Sequence, residues 1–286
     1  MRQDVEITCR SEIDPSGILK NARAENRFHL LRSPRRVILV HGFNTGEGTA
    51  FLNFKKFREQ AQTVQEKFEE DMFGFTWLGD EKPFIRWHRY FKKNTKNAEK
   101  CAEPFARFLD QNLSYRKNNY EIILIAHSLG CYLVLETMRQ LVNRNSDHCH
   151  RIKVFFMAAA FPEDLLETGR THNFALSQAD TRLQFYSSSD TILKRLFQAG
   201  HFWFVEPAAG LNGMPMNEVW TTPPIEARHF KHDHYWEDRE GLVCANIAKA
   251  AGYRGVAKPL PFGRAEIEER NFGLTDWFRE RVIGWC

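Results

Sequence analysis

Residues 126–130 constrain the fold of this chain more than any other part of its sequence. They read Ala-His-Ser-Leu-Gly and join a run at 120–126, apolar except for Glu121, to a stretch with helical periodicity at 131–142. A serine on so tight a turn needs small residues two positions before and after it, because strand and helix nearly touch there. The pattern therefore predicts a strained strand-to-helix turn that presents Ser128 at the carboxyl end of a strand. The alternative is an ordinary loop serine that caps the helix.

Short apolar runs alternate with longer helical patterns along most of the chain, and this order is typical of a mainly parallel sheet with helices on both faces. We therefore predict an α/β fold. The predicted strands cover residues 36–41, 71–77, 120–126, 152–158, 183–190 and 218–222. The predicted helices cover residues 49–70, 94–113, which Pro104 should interrupt or kink, 131–142, and a segment that begins at Pro162.

The loop after the first of these strands reads His41-Gly42-Phe43-Asn44-Thr45. A hydrolytic serine needs two hydrogen-bond donors aimed at the developing oxyanion. We expect the backbone N–H of Leu129 to be one donor and that of Phe43 to be the other, with Asn44 as the second choice. His41 is expected to hydrogen-bond within this loop and hold it, which is also what a satisfied core histidine would do.

A serine hydroxyl is a weak nucleophile and needs a base that is oriented by an acid. Asp190 lies at the polar end of the strand predicted at 183–190, where its carboxylate would leave the sheet at the same edge as Ser128. Its alternative role is a turn or helix cap. Asp164 is the competing acid, and Glu163 is a weaker one.

Three histidines follow the acid in the segment 228–236: His229, His232 and His234. Among them we favour His232, then His234, then His229, and His201 is a more distant candidate. The His-x-His spacing could instead bind a metal, but no complementary Asp/His cluster occurs elsewhere at a familiar spacing. We therefore predict no metal site.

Composition excludes some classes of partner. The 40 basic and 36 acidic residues give a net charge of +4, which is too small to indicate nucleic acid or an anionic membrane as the main partner. The 24 Phe among 286 residues predict a bulky core and an apolar pocket.

The cysteines and the start of the chain predict a cytoplasmic protein with reduced thiols and no integral membrane segment. The first residues lack the apolar region of a signal peptide, and no apolar run is long enough to span a membrane. The six cysteines show neither a paired CxxC spacing nor a zinc spacing: Cys9, Cys101, Cys131, Cys149, Cys244 and Cys286.

No internal repeat or low-complexity linker divides the chain, so we predict one domain over residues 1–258 and an appendage over 259–286. Within the domain, residues 1–35 are expected to add edge strands. Residues 78–96 and 195–216 are expected to be pocket or lid insertions.

The order of Ser128, Asp190 and His232 resembles that of nucleophile, acid and base in the α/β-hydrolase superfamily. The segments at 41–45 and 126–130 are especially similar to a poorly characterised, lipase-like group of bacterial serine hydrolases. The resemblance covers roughly residues 36–240 and implies an α/β-hydrolase fold with a Ser-His-Asp triad and no cofactor.

Two further motifs carry this resemblance. In that group a strand ending in Phe-x-Trp precedes the serine turn, as Phe75-Thr76-Trp77 does here, and the base motif resembles His-x-x-Tyr. The second motif favours His232, which precedes Tyr235, over His234. The chain departs from the group at Ala126, which replaces the usual first glycine, and at Leu78-Gly79, which replaces a frequent Pro-Ser.

Two segments should border the pocket. Residues 200–207 are rich in Phe and Trp and would overhang the carboxyl edge of the sheet as a lid or acyl-chain wall, or else pack inside the protein. The basic residues within 84–93 could meet an anionic substrate, although a solvated basic face is the more ordinary account. The predicted partner is a small, apolar acyl compound, and the sequence does not indicate an oligomeric state.

These features together predict a serine hydrolase that acts on an ester or a thioester, with an amide as a lesser choice. One alternative is a catalytically silent binding protein of the same fold that holds a lipid or a protein. Another is a thiol enzyme that uses Cys131, one turn beyond the serine.

Overall fold

Among the residues that the structure describes, a sheet of eight strands forms the centre of the protein. The computed structural model describes residues 6–9, 23–24, 34–79, 87–114, 120–146, 149–197, 207–214, 222–238 and 241–257. The strands are β1 (Glu6–Thr8), β2 (Arg23–Ala24), β3 (Arg35–Val40), β4 (Met72–Thr76), β5 (Glu121–His127), β6 (Ile152–Met157), β7 (Thr181–Tyr186) and β8 (Ile225–Glu226). Their spatial order is β2-β1-β4-β3-β5-β6-β7-β8, and every pair is parallel except the edge pair β1–β2. This architecture confirms the predicted fold class.

Helices connect the parallel strands. They are α1 (Glu47–Val64), α2 (Glu66–Glu70), α3 (Trp87–Ser114), α4 (Leu129–Asn143), α5 (Thr171–Ser177), α6 (Ala209–Asn212), α7 (His234–Glu237) and α8 (Leu242–Ala250). Short 3₁₀ segments lie at Cys149–Arg151 and Glu163–Leu166, and one π-helical turn lies at Leu193–Phe197. Within the described ranges, none of the helices combines the length and the apolarity that a membrane crossing requires.

Strands β3, β5 and β6 form the middle of the sheet, and their sequences explain why. Each is an almost continuous apolar run, as expected for a parallel strand that is covered on both faces. The register pairs Val40 with Ala126 and Ala126 with Phe156. All three side chains are buried. The three strands therefore end side by side, and the loops that follow β3 and β5 emerge next to each other.

The helix predicted over 49–70 is two helices in the structure. The backbone of Gln65 is extended, with φ of −165°, and its side-chain oxygen accepts a hydrogen bond from the Lys67 N–H at 2.6 Å. Gln65 thus ends α1 and caps α2. Gln65 has ordinary helix propensity but leaves α1, because its side-chain amide caps α2 instead. Hydrophobic periodicity does not show such a cap.

Of the two alternatives expected at Pro104, the interruption is wrong, because α3 runs through this residue without a break and begins earlier than predicted. The kink stays a prediction. Around the proline, α3 buries Cys101, Ala102, Phe105 and Ala106. We attribute the continuity to this packing, which offsets the loss of one backbone hydrogen bond.

The remaining boundaries differ in detail. The strand predicted over 183–190 is β7, which ends at Tyr186, so that Asp190 lies in the turn that follows it. The segment that begins at Pro162 is a 3₁₀ turn rather than an α-helix. Most of the strand predicted at 218–222, residues 80–86, 198–206 and 215–216 of the expected pocket insertions, and the appendage at 259–286 lie outside the described residues.

Candidate active site

Ser128 occupies a strained turn between β5 and α4. Its φ of 55° and ψ of −126° are unusual for a residue with a side chain. Backbone hydrogen bonds hold this conformation: the Ser128 N–H donates to the Met157 oxygen at 2.9 Å, and the Ser128 oxygen accepts from the Cys131 and Ala160 N–H groups. Such strain persists only where the surrounding structure imposes it, and it is concentrated at functional sites.

Close packing explains the glycine that follows. A Cβ atom on Gly130 would run into the carbonyl oxygen of His41, at the end of β3. The first turn of α4 can therefore approach the neighbouring strand only if this residue has no side chain. The need for a small residue at position 130 thus comes from its contact with the His41 oxygen.

Three side chains that are far apart in sequence meet at the carboxyl edge of the sheet. The Ser128 Oγ lies 2.9 Å from Nε2 of His232, and the His232 Nδ1 lies 2.8 Å from Oδ2 of Asp190. A carboxylate can only accept, so Nδ1 carries the imidazole proton and Nε2 accepts from the serine hydroxyl. The geometry matches the nucleophile–base–acid arrangement of a serine hydrolase.

Asp190 is completely buried, and its charge is balanced by hydrogen bonds. Its Oδ1 accepts the backbone N–H groups of Ile192 and Leu193, both at 3.0 Å, while Oδ2 faces His232. Burying an ionised carboxylate is costly unless it is paired in this way. Asp190 therefore both caps the turn that follows it and orients the imidazole.

The other sequence candidates lie elsewhere. Asp164 is in the 3₁₀ segment that also contains Glu163, and it forms an ion pair with Arg170 at 3.4 Å. The ring of His234 packs against Phe230, with 6.2 Å between centroids. His229 is exposed, and His201 lies outside the described residues.

His41 and Trp77 hold the loop that follows β3. The Trp77 backbone N–H donates to His41 Nε2 at 3.1 Å, so the other ring nitrogen, Nδ1, carries the proton and donates to the Gly42 oxygen at 2.9 Å. The Trp77 indole N–H donates to the His41 oxygen at 2.8 Å, and the two rings stack. The Trp of the Phe-x-Trp motif thus has a structural role, which the sequence analysis did not assign.

The same loop lies directly against Ser128. A Cβ atom on Gly42 would be 2.7 Å from the Ser128 Cβ, so only glycine allows the loop to come this close. The Asn44 N–H donates to the Gly79 oxygen at 2.7 Å. The N–H of Asn44, the second choice for an oxyanion donor, is therefore already used in a backbone hydrogen bond.

A row of aromatic rings extends from this loop. Phe43 contacts Phe91 of α3 with 5.4 Å between ring centroids, and Phe91 contacts Phe197 of the π-helical turn at 5.8 Å. Phe91 and Phe197 are buried, whereas Phe43 is half-buried. The surroundings of the loop are thus strongly apolar.

Cys131 has the environment of a structural thiol. Its Sγ donates to the Ala126 oxygen at 3.2 Å, and burial raises the pKa of this thiol well above its usual value. A nucleophilic cysteine needs a lowered pKa and access to solvent. Among the described residues, no group of three or more His, Cys, Asp or Glu side chains could hold a metal ion.

His127 is the residue of this site that sequence analysis did not assign a role. Its Nε2 lies 2.6 Å from the backbone oxygen of His232. The only signal in the sequence is that His127 adjoins the serine, and this says nothing about a contact with a residue 105 positions away.

A family model described as alpha/beta hydrolase of unknown function (DUF900) matches residues 20–195, more than half of the chain. The matched range includes Ser128 and Asp190 and ends before His232. No curated protein matches the chain at a significant level.

Several solved structures are similar to this chain at low sequence identity. A lipase-esterase related protein from Clostridium acetobutylicum is 14% identical over 77% of this chain and 96% of its own, with a TM-score of 0.41. Carboxyl esterase 2 from Tuber melanosporum is 9% identical over 76% and 78%, with a TM-score of 0.42. An extracellular alpha/beta-hydrolase from a Paenibacillus species is 13% identical over 76% and 99%, with a TM-score of 0.37.

Proposed function

The chain belongs to the DUF900 family of α/β hydrolases, and on that premise we propose that it is a serine hydrolase that cleaves an ester or a thioester. The observation that carries the proposal is the continuous pair of hydrogen bonds from Ser128 through His232 to the buried Asp190, at 2.9 and 2.8 Å.

In the proposed reaction the Ser128 Oγ attacks the acyl carbonyl carbon. His232 Nε2 takes the hydroxyl proton as the new C–O bond forms, and the ring becomes an imidazolium. The Asp190 carboxylate holds the ring in the required tautomer and stabilises its positive charge. The imidazolium then gives its proton to the departing alcohol or thiol, which leaves an acyl group on Ser128.

The negative charge on the tetrahedral oxygen needs donors that are in place beforehand. We assign this role to the backbone N–H groups of Leu129, at the start of α4, and of Phe43. The positive end of the helix dipole at the start of α4 adds to the stabilisation. A water molecule, activated by His232, then hydrolyses the acyl-enzyme and restores the free serine.

The substrate class follows from the apolar surroundings of the loop. The ring row Phe43–Phe91–Phe197 extends away from one proposed oxyanion donor, Phe43. Phe91 and Phe197 are buried, so an acyl chain would leave water by packing on the half-buried ring of Phe43, at the accessible end of the row, which favours apolar substrates. We therefore propose an apolar acyl group as the part of the substrate that is recognised.

A fluorophosphonate probe tests the proposal directly, since it labels only a serine that is activated as a nucleophile. We expect wild-type protein to be labelled and Ser128→Ala not to be. Ser177→Ala is a matched control, because the hydroxyl of Ser177 makes local contacts at the end of α5: it donates to the Phe174 oxygen and accepts from the Gln178 side chain. It should be labelled like the wild type.

A panel of p-nitrophenyl esters with increasing acyl length then tests substrate class. We expect hydrolysis that depends on Ser128 and increases from acetyl to medium-length chains. An unlabelled wild-type protein that hydrolyses none of these esters but binds fatty acids would contradict the proposal and favour a silent binding module.

A further inference from the structure

His127 ends β5 and, with Ser128, forms the strained turn before α4, which we call the elbow. The His127 ring contacts the residue that carries the proposed base. We propose that His127 is a positioning residue that holds His232 in line with Ser128, an inference that rests on the proposed hydrolase function. His127 Nε2 lies 2.6 Å from the His232 backbone oxygen, while the neighbouring Ser128 Oγ lies 2.9 Å from the His232 ring. His127 and Ser128, which are consecutive in sequence, thus bind the backbone and the ring of His232 respectively.

The direction of this hydrogen bond follows from its acceptor. A carbonyl oxygen cannot donate, so the proton lies on Nε2 of His127 and the ring is the donor. Burial, assisted by the proximity of His232, lowers the pKa of His127 from 6.5 to about 4. The ring is therefore neutral near pH 7 and has one N–H, which is the one used here.

The ring of His127 also packs against the segment that carries the proposed base. Its centroid is 4.8 Å from the ring of His232, 5.3 Å from that of Trp236 and 6.0 Å from that of Tyr235. Both Tyr235 and Trp236 are buried. Segment 232–236 is therefore placed on the elbow by one hydrogen bond and by three ring contacts to the same side chain.

Helix α7 is too short to fix the segment by its own hydrogen bonds, because it has only four residues. Contacts outside the elbow include the Ser187 hydroxyl, which donates to the Phe230 oxygen at 2.9 Å, Trp236, which packs on Phe54 and Phe57 of α1, and Glu237, which pairs with Lys56 at 3.0 Å. None of these three contacts holds the backbone of His232 itself. His127 does so, which is why its loss should change the catalytic geometry.

The neutral state of His127 matters for the same reaction. During acylation the adjacent His232 gains a positive charge, which a second positive charge in the buried ring of His127 would oppose. The charged groups that bear on His127 are His232, Asp233 and Asp190. Because burial keeps His127 neutral, its ring can hold the backbone of His232 without competing with the His232 imidazolium for the Asp190 carboxylate.

Two substitutions separate the hydrogen bond from the packing. His127→Phe keeps an aromatic ring but removes the donor, whereas His127→Gln keeps an N–H at a similar reach. His172→Phe is the matched control, because His172 also makes a 2.6 Å imidazole hydrogen bond, to Glu136, outside the proposed site. Circular dichroism and thermal melting verify that each variant is folded.

We expect His127→Phe to lower kcat and the rate of fluorophosphonate labelling by about 100-fold with little change in KM, since a displacement of about 1 Å has this effect on a catalytic group. His127→Gln should return to within a few-fold of the wild type, and His172→Phe should react like the wild type per folded molecule. In proton NMR, the downfield proton shared by His232 and Asp190 should remain in His127→Gln and broaden or disappear in His127→Phe.

The possible failures are distinguishable. If the wild type is labelled and His127→Phe is labelled equally fast, or if His127→Gln is as slow as His127→Phe, His127 does not position the base. If the wild type itself is not labelled while its downfield proton is present, the proposed hydrolase function fails, and the role of His127 in the reaction fails with it.

Discussion

Three histidines near Ser128 show that the partner of a ring decides where its proton lies. His41 accepts from the Trp77 N–H and so donates through Nδ1, whereas His127 faces a carbonyl and donates through Nε2. His232 faces a carboxylate with Nδ1, which leaves Nε2 as the acceptor for Ser128. The same residue type thus holds a loop, supports a backbone and accepts a proton, according to what each nitrogen meets.

The buried, neutral His127 should make folding stability depend on pH. Its pKa is lowered from 6.5 to about 4 in the folded protein, so the unfolded chain binds a proton in this range that the folded protein does not. The free energy of unfolding should therefore fall as the pH falls, by about 2 kcal/mol from this group at about pH 5. In His127→Gln this contribution is absent.

Urea unfolding of both proteins between about pH 4.5 and about pH 7.5 measures the effect. The stability advantage of the wild type over His127→Gln should shrink steadily toward the acid end. A difference that is constant across this range would contradict the assignment of a lowered pKa to His127, because only a group that titrates differently in the two states can change the difference.

At the scale of elements, the site depends on how closely the loop after β3 approaches the turn after β5. Gly42 faces Ser128 on one side of this contact, and Gly130 faces the His41 oxygen on the other. The Trp77 ring, just after β4, stacks on the His41 ring and donates to the His41 oxygen. The neighbouring strands β4, β3 and β5 thus contribute Trp77, the loop with Gly42 and Ser128 respectively. These residues meet because parallel strands end at the same edge of the sheet.

Gly42→Ala should disrupt this contact without unfolding the protein. A Cβ atom there would lie 2.7 Å from the Ser128 Cβ and 3.1 Å from the His127 oxygen, so the loop must move away. We expect the loss of an aligned oxyanion donor to lower kcat by about 100-fold. Steady-state kinetics on a p-nitrophenyl ester, with a thermal melt in parallel, provide the measurement.

Gly48→Ala is the matched control, because a Cβ atom at Gly48, in α1, would meet nothing within 4 Å. Its activity should equal that of the wild type, and its stability should be equal or slightly higher because alanine favours the helix. Equal activity of Gly42→Ala and Gly48→Ala would show that the loop does not need its close approach to Ser128.

At the scale of the whole molecule, the two edges of the sheet have different tasks. The carboxyl edge carries Ser128, Asp190 and His232. The opposite edge carries a polar cluster around the buried Asp71, before β4, which accepts from the Tyr253 hydroxyl at 2.8 Å and pairs with the partly exposed Lys67 at 2.6 Å. This cluster ties the chain beyond α8 to the start of the sheet, so it should affect stability rather than chemistry.

Tyr253→Phe tests this separation. Removing the hydroxyl leaves the buried Asp71 oxygen without one donor, and we expect a loss of about 1–3 kcal/mol in the free energy of unfolding. The rate of fluorophosphonate labelling per folded molecule should not change, because the substitution lies at the far edge.

Tyr132→Phe is the comparison, since its hydroxyl donates to Glu99 at 3.0 Å in a more exposed place and should cost less than about 1 kcal/mol. Chemical denaturation gives both stabilities. A Tyr253→Phe protein that is as stable as the wild type, or that is labelled more slowly, would contradict the proposed division of the two edges.

The local features of this protein could be predicted because they depend on neighbouring residues. The alternation of apolar runs and helical patterns indicated a parallel sheet, and the small residues around Ser128 indicated a strained turn. The end of α1 at Gln65 and the continuity of α3 through Pro104 could not be predicted, because a side-chain cap and tertiary packing override local preference there.

By itself, the sequence determined the fold class, the turn that carries Ser128 and a short set of acids and histidines at one edge of the sheet. Residue spacing left three histidines open, and resemblance favoured His232. Only the tertiary structure decided that His232 meets Ser128 across 104 residues of chain, and that His127 meets the backbone of His232. The physical reason is that such contacts depend on the path of the intervening loops, which is set by packing of the whole molecule and not by any local pattern.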